Sequence, residues 1–133
     1  LHKVAGSLPQ DPRGVAGTGA AGGLSGALWA VHHASLRSGI DAVLTEVAFD
    51  DLLERADVVV TGEGCLDDQT ARGKVVSGVA KRCAAAGVPV VAVVGRCLLN
   101  RQGQLDLGLT EVIEAGDPVS LRETGIQIVA GHR

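Results

Sequence analysis

The segment from Asp57 to Gly95 constrains the fold more than any other. Asp57–Thr61 reads as a short, wholly apolar strand, the kind buried on both faces of a sheet. Lys74–Ala86 carries Val75, Val76, Val79, Ala80 and Cys83 on one side at helical spacing. Gly87 stands just past that helix and Pro89 follows, a combination that ends helices. Val88–Val94 is a second apolar run, closed by Gly95. Strand, helix, strand at this length is a βαβ unit. The two strands are expected to be parallel, joined by a right-handed crossover. The fold class is therefore α/β, with part of a parallel sheet at its centre.

The flanks are read around that unit. Leu1–Arg13 contains Pro9 and Pro12 and has no clear period, so it reads as loop. Leu24, Leu28, Val31 and Leu36 predict a helix over about 20–36, broken at Ser38-Gly39. Ile40, Val43, Leu44 and Val47 predict a short helix, with a strand as the alternative. Phe49–Arg55 reads as another short helix, with Asp50 at its cap or in its first turn. Leu109–Glu114 is a candidate third strand. Val119–Ala130 reads as a closing helix that turns Leu121, Ile126 and Val129 inward.

Composition bounds what such a chain does. It has 133 residues, enough for one domain, and 46% are hydrophobic. Trp29 and Phe49 are the only aromatic residues, so any core is aliphatic. The net charge is −3, and no cluster of lysine or arginine appears. Nucleic acid and anionic membrane are accordingly unlikely partners. No apolar run approaches the ~18 residues needed to span a bilayer. Cys65, Cys83 and Cys97 form no C-x-x-C pair and read as reduced thiols, which fits a cytoplasmic setting. The chain begins at Leu1 and contains no methionine, so the expectation is either that an N-terminal part was removed or that this is a piece of a longer protein.

Chemistry concentrates after the first strand. In open α/β sheets, ligands bind beyond the carboxyl ends of the strands. The sequence puts a loop there, Gly62–Gly73, about twice the usual length of ~2–6 residues. Gly62 and Gly64 allow backbone to approach a ligand closely. Glu63, Asp67 and Asp68 are hard oxygen donors suited to Mg²⁺. Asp67 or Glu63 can also accept a proton from a substrate hydroxyl. Gln69 and Thr70 offer neutral hydrogen bonds. Gly73-Lys74 stands at a helix start, where free N–H groups attract anions. A lysine there opposes the helix dipole unless something negative is bound. The competing reading is a long solvated loop leading into a helix.

Three other features carry weaker signals. Gly17-Thr18-Gly19-Ala20-Ala21-Gly22 matches G-x-G-x-x-G, but a dinucleotide site needs a strand immediately before it, and Gly14-Val15-Ala16 is too short. A helix start lining a cleft and close helix packing through small residues are the other readings. His32-His33 lies in a predicted helix, where adjacent side chains diverge, so the pair is poorly placed to share a metal. Arg96 and Asn100 follow the second strand, also at a carboxyl end, and either reach the same cleft or are solvated.

With these residues in view, the chain resembles the C-terminal part of a bacterial-type glycerate kinase. The resemblance rests on "GTGAAGGL" at Gly17–Leu24, "ADVVVTGEGCLDDQTARGK" at Ala56–Lys74 and "GVPVVAVVGR" at Gly87–Arg96. The spacing of T-G-E-G, then D, then Q-T, then G-K is the distinctive part. The resemblance implies transfer of the ATP γ-phosphoryl group to a glycerate hydroxyl, with Mg²⁺. It also implies a Rossmann-like domain interrupted by an inserted second domain. Residues 1–50 would be the tail of the insertion, and 51–133 the returning half of the Rossmann-like domain. Glu63, Asp67 and Lys74 would be catalytic, with Asp67 the metal ligand. Thr61, Gly62, Gly64, Gln69, Thr70 and Gly73 would line the substrate and phosphates. Cys65 departs from the polar or basic residue common at its position. Family members are much longer, so the opposite wall of the cleft is expected outside this chain. Two alternatives stand beside this reading: a non-catalytic α/β piece binding an anion or a partner, and a dinucleotide-dependent oxidoreductase.

Overall fold

The computed structural model describes residues 2–68, 70 and 75–131. The chain divides into two compact units, Leu1–Ala42 and Val43–Arg133. The first holds the short helix α1 (His2–Ala5), a 3-10 turn at Ala20–Gly23 and α2 (Leu24–His32). Helix α3 (Gly39–Glu46) carries the chain into the second unit. There follow α4 (Phe49–Leu53), β1 (Val59–Leu66), α5 (Val75–Ala86), β2 (Val90–Cys97), α6 (Arg101–Asp106), β3 (Glu111–Glu114) and α7 (Pro118–Gly131).

The three strands form one parallel sheet in the order β1-β2-β3. Val59 pairs with Val90, Glu63 with Val94 and Leu66 with Cys97. Val91 pairs with Glu111 and Val94 with Glu114. Parallel neighbours need a crossover, and α5 supplies it between β1 and β2. Its Val76, Val79, Ala80 and Cys83 are buried, together with Val90, Ala92 and Val94 of β2. Burial pushes the Cys83 thiol up from its ordinary value, because the charged thiolate loses water there. Gly87 ends α5 with a positive φ of 73°. The Val88 N–H donates to the Cys83 carbonyl at 3.0 Å and the Gly87 N–H to the Ala84 carbonyl at 3.3 Å, closing a Schellman motif.

Several expectations are corrected. Strand β1 does not stop at Thr61 but runs to Leu66, so Gly62, Glu63 and Gly64 belong to the strand rather than to a loop. The reason is steric. A Cβ on Gly62 would sit 2.3 Å from the Val93 carbonyl oxygen, and one on Gly95 would sit 2.7 Å from that of Gly64. These two glycines let the strands stay in register. Nor is β1 buried on both faces, since Val60 is 51% exposed and the strand lies at the sheet edge. The closing helix exists, but Leu121, Ile126 and Val129 are exposed and only Thr124 is buried. Val75 is exposed as well. The helix expected from 20 to 36 is a 3-10 turn followed by α2, which ends at His32. The segment expected as loop at Leu1–Arg13 contains helix α1, and α6 is a further helix between β2 and β3.

Within the first unit the glycine-rich segment is tied to α2. The Gly26 N–H donates to the Thr18 carbonyl at 3.0 Å, and a Cβ on Gly26 would lie 2.7 Å from that oxygen. Ser25 Oγ donates to the Gly17 carbonyl at 2.7 Å. An apolar cavity of about 200 Å³ lies beside this tie, lined in part by Val4, Leu8, Pro12, Thr18 and Ala27.

Candidate functional site

Strand β1 delivers the candidate residues to the carboxyl edge of the sheet. Side chains alternate along a strand, so Thr61, Glu63 and Cys65 share one face. Parallel register adds Ala92, Val94 and Arg96 to that face, and Val112 and Glu114 from β3. Glu63, Val94 and Glu114 thus stand in one row across the sheet. Their strands are two spacings apart, so the two carboxylates arise from backbone separated by roughly 10 Å.

Leu66 ends β1 fully buried and anchors the turn that follows. The Leu98 N–H donates to the Leu66 carbonyl at 2.8 Å, binding this end of β1 to the segment after β2. Beyond Leu66 the chain folds back. Thr70 N–H donates to the Asp67 carbonyl at 2.9 Å, and the Asp67 N–H donates to Thr70 Oγ1 at 3.2 Å. Thr70 Oγ1 in turn donates to Glu63 Oε1 at 2.7 Å. Thr70 has no exposed surface, while Glu63 and Asp67 are half-buried. The fold therefore brings together Glu63, Asp67 and Thr70, with Thr61 on the Glu63 face. Among the described residues beyond its chain neighbours, no atom lies within 4 Å of where a Cβ on Gly64 would be. Gly62, by contrast, is held against Val93, so its missing side chain serves strand pairing. Gln69, Gly73 and Lys74 lie outside the described residues.

At the other strand ends Asn100 and Glu114 make structural contacts. Asn100 Oδ1 accepts from the Gly103 N–H at 2.9 Å and caps α6. Arg96 is exposed. Glu114 was not singled out from the sequence, yet its Oε1 accepts the Cys97 N–H at 2.6 Å and braces the end of β2. Its place at the carboxyl end of the third expected strand was the available signal. Asp117 is another such residue. Its carboxylate caps α7, accepting from the Val119 N–H at 2.8 Å, the Ser120 N–H at 3.1 Å and Ser120 Oγ at 2.8 Å. The Ser120 hydroxyl, then the two N–H groups, hold the Asp117 carboxyl below its ordinary value.

The remaining sequence signals resolve simply. Before Gly17 the described residues form a helix and turns without a strand, so the dinucleotide condition is not met. His33 leaves the helix with a φ of 53°, and its Nδ1 lies 3.1 Å from Gln10 Nε2. Among the described residues no three His, Cys, Asp or Glu side chains gather as a metal cage. The three cysteines form no disulfide. No helix among the described residues is long and apolar enough to cross a membrane.

The fold thus sets Glu63, Thr70 and Asp67 at the carboxyl end of a strand in a parallel α/β sheet, the end at which open-sheet proteins bind their small-molecule ligands. Comparison with known proteins narrows that class. The Glycerate kinase family pattern matches residues 1–127, and the chain belongs to that family. It is 40% identical over 114 residues to glycerate kinase of Bacillus cereus, covering 85% of this chain and 30% of that protein. It is 39% identical over 89 residues to glycerate 2-kinase of Escherichia coli, covering 67% of this chain and 22% of that protein. A crystal structure described as glycerate kinase 2 from Salmonella typhimurium LT2 superposes with a TM-score of 0.61 at 32% identity. That match covers 98% of this chain and 37% of the solved one. The chain thus spans about a third or less of these relatives.

Proposed function

We propose that this chain forms one wall of an ATP-dependent glycerate kinase site, in which the γ-phosphoryl group passes to a hydroxyl of glycerate. The observation that carries the reading is the Glu63–Thr70–Asp67 cluster at the carboxyl end of β1, inside the stretch that matches the family. The names of the Bacillus and Escherichia relatives supply the substrate.

Phosphoryl transfer depends chiefly on positioning and on stabilising charge. Glu63 or Asp67 steers the glycerate hydroxyl and takes up its proton. Lys74 and the backbone at Gly73 hold phosphate or carboxylate, with Gln69, Thr61 and Gly64 lining the substrate. The donor set suits Mg²⁺ bound through one or two carboxylates and the nucleotide, which is how that ion usually binds. Asp67, linked through Thr70 to Glu63, would hold the ion. Bound there, Mg²⁺ would neutralise charge on the phosphates.

In this reading residues 1–50 are the tail of an inserted domain and 51–133 the returning half of the Rossmann-like domain. Sequence beyond this chain completes the cleft, a view supported by the open edge of β1 and the short share of the relatives that is matched. The test is ADP release that requires both glycerate and ATP. The longer protein carrying this chain is expected to turn over, and the 133-residue chain alone is not. Anion binding without turnover in the longer protein would favour a non-catalytic role. Turnover by the isolated chain would overturn the split site.

A further inference from the structure

The resemblance places Thr70 among groups that touch substrate or phosphate. Its surroundings give it other work. A threonine hydroxyl has one hydrogen to donate and two lone pairs. The hydrogen goes to Glu63 Oε1 at 2.7 Å, and a lone pair receives the Asp67 N–H at 3.2 Å. The side chain has no surface that a ligand could reach.

We propose that Thr70 is a positioning residue whose buried hydroxyl fixes the Glu63 carboxylate at the end of β1. This rests on the kinase reading above. Glu63 has a side chain long enough to adopt many rotamers, and freezing such a chain costs conformational entropy. Thr70 supplies the compensating contact, and a hydrogen bond to a charged acceptor is the stronger kind. The β-branch of threonine restricts its own χ1, so the donor is itself held. The Thr70 N–H to Asp67 carbonyl bond fixes the turn that presents it. Through one side chain, Asp67 and Thr70 are tied back to the strand before them.

The test uses the longer kinase carrying this chain, with kcat and KM measured for ATP and glycerate. Thr70→Val keeps the shape and removes the hydrogen. It is expected to lower kcat about tenfold or more, the order of effect of a misplaced acid–base group. Both KM values are expected to stay within about twofold. Thr70→Ser is expected to recover most of that loss. In the double variant Thr70→Val/Glu63→Gln, kcat is expected to fall no further than in Glu63→Gln alone. A raised KM for ATP with unchanged kcat in Thr70→Val would show direct phosphate contact and overturn the proposal. Multiplying losses in the double variant would do the same. If Thr70→Val fails to fold, Thr70→Ser decides: a tenfold loss there would assign the role to the methyl group and overturn the hydroxyl's. A wild-type protein without glycerate turnover would instead sink the kinase reading, and this inference with it.

Discussion

Glycines 62 and 64 sit two positions apart on β1 and do different things. A Cβ at Gly62 would meet the Val93 carbonyl oxygen at 2.3 Å, while one at Gly64 would have no neighbour within 4 Å among the described residues beyond its chain neighbours. Gly62→Ala is therefore expected to destabilise the protein by about 1–3 kcal/mol through overpacking between the strands. Gly64→Ala should change stability by less than about 0.5 kcal/mol, as open-surface substitutions do. Urea denaturation of the two variants separates them, and equal effects would contradict the packing role of Gly62. Leu66 and Val60 make a second contrast, one fully buried and the other 51% exposed. Leu66→Ala should cost about 2–5 kcal/mol. The sequence showed that functional groups crowd after Val60, but not which glycine faced a neighbouring strand. Pairing partners come from 31 residues away and leave no local mark.

At the scale of elements, the βαβ unit was legible because three signals agreed: two apolar runs, a helical stripe, and the stop at Gly87 and Pro89. The stop is testable. Gly87 adopts a φ of 73°, and Gly87→Ala is expected to cost about 1 kcal/mol in thermal or urea unfolding. The length of β1 was not legible, since glycine and glutamate are poor strand formers and read as loop. Helix α6 had its signals in Asn100 and Gly108, but its six residues carry no buried face to give a period. The cap of α7 predicts a pH dependence. The Asp117 carboxyl is held below its ordinary value, so its contribution is fully present above that value. It is lost as the pH falls through the lower, folded value. Amide protection factors at Val119 and Ser120, corrected for intrinsic exchange, should fall over that acid window in the wild type. Asp117→Ala should show fast exchange already at neutral pH.

Across the whole molecule, the sheet explains where the candidate site lies, and the exposed apolar residues explain what the sequence misjudged. Leu121, Ile126 and Val129 have the spacing of an inward face, yet α7 leaves them open, as β1 leaves Val60. Apolar periodicity reports that a face needs cover, not which segment provides it. The isolated chain is accordingly expected to bind a hydrophobic dye and to self-associate. Ile126→Glu with Val129→Glu should reduce both in light scattering and dye titration. That Glu63, Asp67 and Thr70 come near one another was legible because position and chemistry coincided at the carboxyl end of a strand. The internal bond from Thr70 to Glu63 was not, because it depends on how the chain turns after Leu66. The most direct test of the account is steady-state glycerate phosphorylation by the longer protein and its Glu63→Gln variant. Glycerate-dependent ADP release in the wild type is predicted, with a kcat lowered about 100-fold in the variant, as for loss of an acid–base or metal-binding carboxylate. Equal turnover in the two proteins would contradict the placement of the chemistry at the end of β1.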